Sequence, residues 1–171
     1  MKTKELKLEK ITKVIDPVVA MRDRQWFLVT AKGREEVGTL TAAWGQIGNV
    51  WEKKTMTIYI RPQRHTLPLI EENGCFTCTF FDGHLKEMGY LGSVSGFDEP
   101  DKIKKSGLHL TDLNGWPTFE EGKYVLCCRV LYIQQLEPDC FLDKETLEMA
   151  YPDKDYSYTI VGEILNAYEV E

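Results

Sequence analysis

Two stretches of the chain carry residues suited to chemistry. Thr39-Leu40-Thr41-Ala42-Ala43-Trp44-Gly45 begins as a β-prone run and ends in small side chains and one indole. Small side chains let a flat ligand lie against the backbone, where peptide N–H and C=O groups reach its polar edge. Arg61-Pro62-Gln63-Arg64-His65-Thr66 follows the apolar run Met56-Thr57-Ile58-Tyr59-Ile60 and brings two guanidinium groups and a hydroxyl close together. Arginine forks match phosphate oxygens in shape and charge, and a hydroxyl adds a donor. A flat-ring site followed by a phosphate site points to a phosphorylated planar ligand, with flavin mononucleotide (FMN) as the first candidate. Taken singly, the first fragment fits a buried strand ending in a turn and the second a solvated strand end. Their order is what links them.

The elements that must position these residues are mostly strands. Arg24 to Lys32 alternates, with Trp26, Leu28 and Thr30 on one face and Phe27, Val29 and Ala31 on the other. Lys32-Gly33-Arg34-Glu35 turns the chain into a returning strand, Val37 to Trp44, so the two form a hairpin. Met56 to Ile60 and Cys75 to Phe81 are strand patterns, and Tyr124 to Gln135 is the longest. Tyr156 to Val170 closes the chain as a strand-rich segment, and residues 1–15 suggest a lead-in strand. Short helices are expected over His65 to Asn73, ended by Gly74, over Asp82 to Tyr90 with Asp82 near the N-cap, and from Asp98-Glu99-Pro100 to about Gly107. Residues 144–150 suggest one or two helical turns, and Tyr151 to Asp155 reads as a polar loop. Many strands with short helices between them, and no regular β-α-β alternation, favour a closed antiparallel barrel in a single domain spanning residues 1–171.

Composition excludes several functions. At 171 residues the chain is long enough for one good core, and 43% hydrophobic with 28% charged residues is ordinary for a soluble globular protein. A formal net charge of −6 argues against general nucleic-acid binding. The apolar runs are strand-sized, so no membrane-spanning helix is expected. The N-terminal segment has no apolar core of a secretory signal. Five cysteines, an odd count, then favour a reduced, cytoplasmic setting. Cys75 and Cys78 have redox-motif spacing but lie on an apparent strand, where positions three apart face opposite ways, so core packing is expected of them. His65, His84 and His109 are scattered and no metal site is expected. The glycine-serine loop Gly92-Ser93-Val94-Ser95-Gly96 follows a helix rather than a strand, so it is not a dinucleotide fingerprint.

Thr41-Ala42-Ala43-Trp44-Gly45, then Arg61-Pro62-Gln63-Arg64-His65-Thr66, then Gly92-Ser93-Val94-Ser95-Gly96 with Asp101-Lys102, resembles the flavin reductase-like FMN-binding split-barrel family, flavoredoxin branch, from about Gln25 to Ala167-Tyr168. The resemblance implies a mainly β fold, an antiparallel Greek-key split barrel with peripheral short helices. It implies FMN as cofactor, with the ring against Thr39, Leu40, Thr41, Ala42, Ala43 and Trp44. Arg61, Arg64 and Thr66 would clamp the phosphate and ribityl chain, Arg64 and Thr66 matching the family's Arg-x-Thr. His65 stands where relatives often carry tyrosine, and either packs over the cofactor or faces solvent. Ser95, Gly96 and Lys102 match the family's Ser-Gly loop and Asp-Lys pair, though Lys102 read alone fits a solvated helix lysine. Three departures stand out: Gly38 replaces a frequent Asn, Ala43 a frequent Ser, and Phe97 a usual arginine. No nucleophile–base pair is visible, so the chemistry would be the cofactor's own. The implied activity is that of an oxidoreductase passing electrons from NAD(P)H or a protein donor through FMN. The alternatives are a non-catalytic FMN carrier and, more remotely, a pyridoxamine-phosphate-oxidase-like enzyme. A homodimer is implied, with Trp51, Tyr156 or Tyr168 as exposed aromatics able to close the partner's site.

Overall fold

The computed structural model describes residues 1–17 and 26–171; the start of the expected strand at Arg24 and Gln25 lies outside them. In chain order the strands are β1 (Thr3–Glu5), β2 (Phe27–Lys32), β3 (Val37–Ala42), β4 (Gly45–Val50), β5 (Lys53–Ile60), β6 (Cys75–Phe81), β7 (Leu110–Leu113), β8 (Trp116–Phe119), β9 (Gly122–Gln135) and β10 (Tyr158–Val170). The helices are α1 (Ile11–Val14), α2 (Thr66–Asn73), α3 (Leu85–Ser93), α4 (Lys102–Ser106) and α5 (Lys144–Ala150). The lead-in segment is thus a short strand followed by a turn of 3-10 helix and α1 rather than one continuous strand.

One antiparallel sheet runs in the order β3-β2-β6-β9-β10-β5-β4, with β1 beside the far end of β10. Its two ends, β3 and β4, are separated in sequence by Ala43 and Trp44 alone. So short a link spans no more than about 10 Å. The sheet therefore has to roll until its edges nearly meet, and β3 comes up against β5. The seam between them is the split of the barrel. The expected antiparallel barrel with short helices is the architecture found.

The alternation in β2 explains its place in the sheet. Phe27 and Val29 enter the barrel core with Met56, Ile58, Phe76 and Ile160. Leu28, on the other face, packs beneath α3 with Met88, Leu91 and Phe119. Each such fully buried side chain contributes about 1.5–3 kcal/mol relative to exposure. Cys78 and Cys128 belong to the barrel core and Cys127 to a smaller cluster behind it. Burial pushes the Cys127 and Cys128 thiols up, Cys78 adding to the effect at Cys128, as core-packing cysteines require.

Two elements differ from expectation near the site. Asp82 does not cap α3: Gly83 and His84 both take left-handed φ (94° and 58°) and the helix begins only at Leu85. That shift carries Gly92 and Ser93 into the last helical turn instead of a loop, with Val94 as C-cap. The strand β4 and the hairpin β7–β8 were not anticipated.

Candidate functional site

Where the barrel splits, β3 leaves one edge without a strand neighbour among the described residues. A bare edge presents N–H and C=O groups in a row. A cavity of about 190 Å³ opens there, lined by Leu40 to Trp44 on one side and Tyr59, Ile60, Arg61, Arg64 and Ser157 on the other. A second cavity, of about 320 Å³, shares Thr41, Ala42 and Ala43 but faces α3 through Met88, Gly89 and Gly92, with Trp26 as a wall. The short Thr41–Ala43 segment thus has open space on both flanks, which its small side chains allow.

α3 is held against β3 at close range. The Thr41 hydroxyl donates to the Met88 carbonyl at 2.5 Å. A Cβ on Gly92 would stand 3.0 Å from the Thr41 Cβ, so glycine is what permits this approach. Similarly, a Cβ on Gly96 would meet His65 Nδ1 at 2.5 Å and Cγ at 2.9 Å. The His65 ring lies on that bare backbone, edge-on to Phe97 with centroids 4.7 Å apart, and its Nε2 is 3.3 Å from Glu36. A Cβ on Gly38 would stand 2.6 Å from Leu69 Cδ1: α2 occupies the side-chain space.

The cations gather at the carbonyl end of α3. Arg64 Nη1 donates to Gly92 O at 2.7 Å. Lys102 Nζ donates to Leu91 O at 2.9 Å and Val94 O at 2.8 Å. Helix C-termini attract cations through their unpaired carbonyls. Lys102 is 4% exposed; burial, then the neighbouring Arg64, pulls its ammonium down to about 8. Burial and then Arg61 likewise lower the Arg64 guanidinium. Neither Arg64 nor Lys102 has a carboxylate partner among the described residues. One half-buried and one buried positive charge thus stand near each other, both bonded to carbonyls at the end of α3.

Arg61 is different. Its guanidinium pairs with Asp155, donates to Ala150 O at 2.9 Å and lies 5.2 Å over the Tyr151 ring. Tyr151 is the hub of an aromatic cluster, meeting Trp44, Phe141 and Tyr156 edge-on. Trp44 remains 47% exposed, so it is a rim tryptophan and not a core one.

Of the residues singled out in the sequence, the cavity brings together Leu40, Thr41, Ala42, Ala43, Trp44, Arg61 and Arg64. Lys102 sits behind Arg64. Thr66 is buried as the first residue of α2. Ser95 accepts from its own loop, from Phe97 N at 3.1 Å. Thr39 turns away, its hydroxyl bonded to Val29 O and Thr30 between β2 and β3. Sequence reasoning missed Tyr59, Ser157, and the Tyr151 and Asp155 pairing with Arg61. The signal available was a tyrosine-rich stretch, Tyr151 to Tyr158, too aromatic for a plain polar loop.

This architecture matches solved structures. An FMN-binding domain of a flavin reductases-like enzyme from Shewanella baltica superposes with a TM-score of 0.73 at 17% identity, over 99% of this chain and 78% of that one. Flavoredoxin from Methanosarcina acetivorans matches at 0.62 and 26% identity, over 85% and 68%. Flavoredoxin of Desulfovibrio vulgaris (Miyazaki F) matches at 0.65 and 21%, over 85% and 69%. The fold is therefore the flavin reductase-like split barrel that the motifs suggested. No protein-family model and no curated protein matches the chain.

Proposed function

We propose that this chain binds FMN in the seam between β3 and β5 and works as an oxidoreductase of flavin reductase or flavoredoxin type. The observation that carries the reading is half-buried Arg64 beside buried Lys102, neither with an acidic partner among the described residues, next to a cavity walled by the β3 edge. The solved structures of the same fold include FMN-binding proteins and flavoredoxins. Arg64 and Lys102 would hold the phosphate, the β3 edge would meet the ring's polar rim, and Trp44 would wall one side. Since Ala43 and Gly38 bring no side-chain donor, backbone groups would orient the ring. When bound, the flavin would supply the hydride and electron transfer; the chain's own residues bind it, orient it and screen it from water. Arg61, already neutralised by Asp155, would shape the cavity beside Tyr151 more than it would bind charge.

The electron donor would be NAD(P)H or a protein, and the working unit a cytoplasmic homodimer of one-domain subunits. A non-catalytic FMN carrier is the second reading, since among the described residues the cavity lining holds no Asp, Glu or His. Purified protein separates these. FMN released and identified by mass spectrometry, with oxidation of NADH or NADPH, supports a reductase. Bound FMN with no response to either nucleotide supports a carrier or a protein-fed electron carrier. FAD at full occupancy, or no flavin affinity at all, would refute the FMN reading.

A further inference from the structure

Among the described residues, two buried side-chain oxygens lack a hydrogen-bond partner: Ser157 Oγ and Thr159 Oγ1. A covered hydroxyl without a partner is unfavourable, so each calls for an explanation. Ser157 is 1% exposed and anchored at its backbone, where its carbonyl accepts from Leu136 N at 2.9 Å. Only the hydroxyl is spare. Of the two residues, Ser157 lines the seam cavity and Thr159 does not.

We infer that Ser157 is a ligand-contact residue, its hydroxyl bonding a neutral polar group of the riboflavin portion of the cofactor; this rests on the FMN reading above. The charge layout selects the neutral portion. Ser157 lies at the start of β10, two residues after Asp155, whose carboxylate neutralises Arg61. A phosphate placed there would meet a carboxylate and the guanidinium it already neutralises, whereas Arg64, elsewhere in the lining of the same cavity, and Lys102 sit toward the carbonyl end of α3. A serine hydroxyl both donates and accepts, which suits a ring carbonyl, a ring N–H or a ribityl hydroxyl.

The test compares Ser157→Ala with Thr159→Val, by thermal melting of flavin-free protein and by titration with FMN and with riboflavin. Ser157→Ala is expected to melt at the same or a higher temperature, because it removes an unsatisfied group. It should weaken FMN and riboflavin alike, by about fivefold, the loss of one hydrogen bond. Thr159→Val should match it in melting and leave both affinities unchanged. A lower melting temperature for Ser157→Ala would mean the hydroxyl has a protein partner and would overturn the inference. So would unchanged affinities, a loss confined to FMN, or an equal loss in Thr159→Val. If the unaltered protein binds neither flavin, the cofactor reading fails and takes this inference with it. If it binds FMN and Ser157→Ala binds equally well, this inference alone fails.

Discussion

Arg64 and Lys102 share the carbonyl end of α3 with no carboxylate partner among the described residues, and that arrangement makes sharp predictions. Arg64→Ala should weaken FMN at least tenfold, because a charge-assisted contact to phosphate is worth about 1.5–3 kcal/mol. Riboflavin, lacking phosphate, should lose far less, and Arg64→Lys should recover only part, since an ammonium is not a fork. Lys102→Met should lower FMN affinity and also melting temperature, because its Nζ serves two helix carbonyls. Exposed Lys104 is the control, and Lys104→Ala should change neither. A pH dependence follows. The Lys102 ammonium is depressed to about 8 by burial and Arg64, below its ordinary unfolded value. Between pH 8 and the unfolded value the unfolded chain holds the extra proton, so this group makes flavin-free protein more stable as pH rises. An anion needs the charged form, so FMN affinity should fall above pH 8 by up to about tenfold per pH unit. Riboflavin titrated over the same range should stay nearly flat. A flat FMN profile would show that Lys102 does not serve the phosphate. Both residues were legible in the motifs. That Lys102 is buried was not, because Lys102-Ile103-Lys104-Lys105 reads as a solvated run.

At the scale of elements, the site depends on how closely α3 and the following loop approach β3 and α2. The glycines at positions 92 and 96 set those distances, at 3.0 Å to Thr41 Cβ and 2.5 Å to His65 Nδ1 for an added Cβ. Gly96→Ala should displace the His65 ring and destabilise by about 1–3 kcal/mol, the usual cost of overpacking. FMN affinity should fall with it, and denaturant melts beside titrations would check both. An Ala at 96 that left both unchanged would show that the loop yields freely. Turn chemistry decided which hairpins could be foreseen. The β7–β8 turn, Asn114-Gly115, has both residues at positive φ (56° and 92°) and carries the strongest short-range hairpin signal, which the strand reading passed over. The β4–β5 turn uses Trp51 and Glu52 at positive φ. Neither residue favours that conformation, so no local signal announces that turn. The α3 boundary moved for a similar reason: Asp82 has the right side chain for a cap, but the left-handed Gly83–His84 pair delays the helix.

For the whole molecule, two exposed apolar side chains lie close in sequence to the aromatic cluster around Tyr151. Leu142 is 97% exposed and Met149 76%, both just before the Ala150–Asp155 segment that packs on Arg61. Tyr168, expected to be exposed, is 9% exposed and packs with Leu113, Val125 and Cys127, because alternation turns it onto the sheet. Tyr156 is half-buried against Tyr151, while Trp51 is 60% exposed at its hairpin tip. If the homodimer forms through these two side chains, light scattering should give twice 19.7 kDa. Leu142→Asp with Met149→Asp should then shift it toward monomer and weaken FMN binding. Monomer in the unaltered protein with full flavin occupancy would reject the dimer.

What the sequence by itself determined was local. Period-two alternation marked β2 and β6, a long run of β-prone residues marked β9, Gly74 and Gly107 marked helix ends, and the small-residue run and the arginines after β5 pointed to a candidate site. These are short-range properties, set by side-chain type and backbone preference within a few residues. The tertiary structure alone decided which distant residues meet. Rolling the sheet to join β3 to β4 through two residues placed the bare β3 edge opposite Arg61 and Arg64. It also brought Asp155 onto Arg61 and placed Ser157, with its buried Oγ unpartnered among the described residues, in the lining of the cavity. Burial of Lys102 likewise required α4 to fold back on α3. No local pattern encodes such meetings, because they follow from strand order and barrel closure, which the core of the whole chain settles at once.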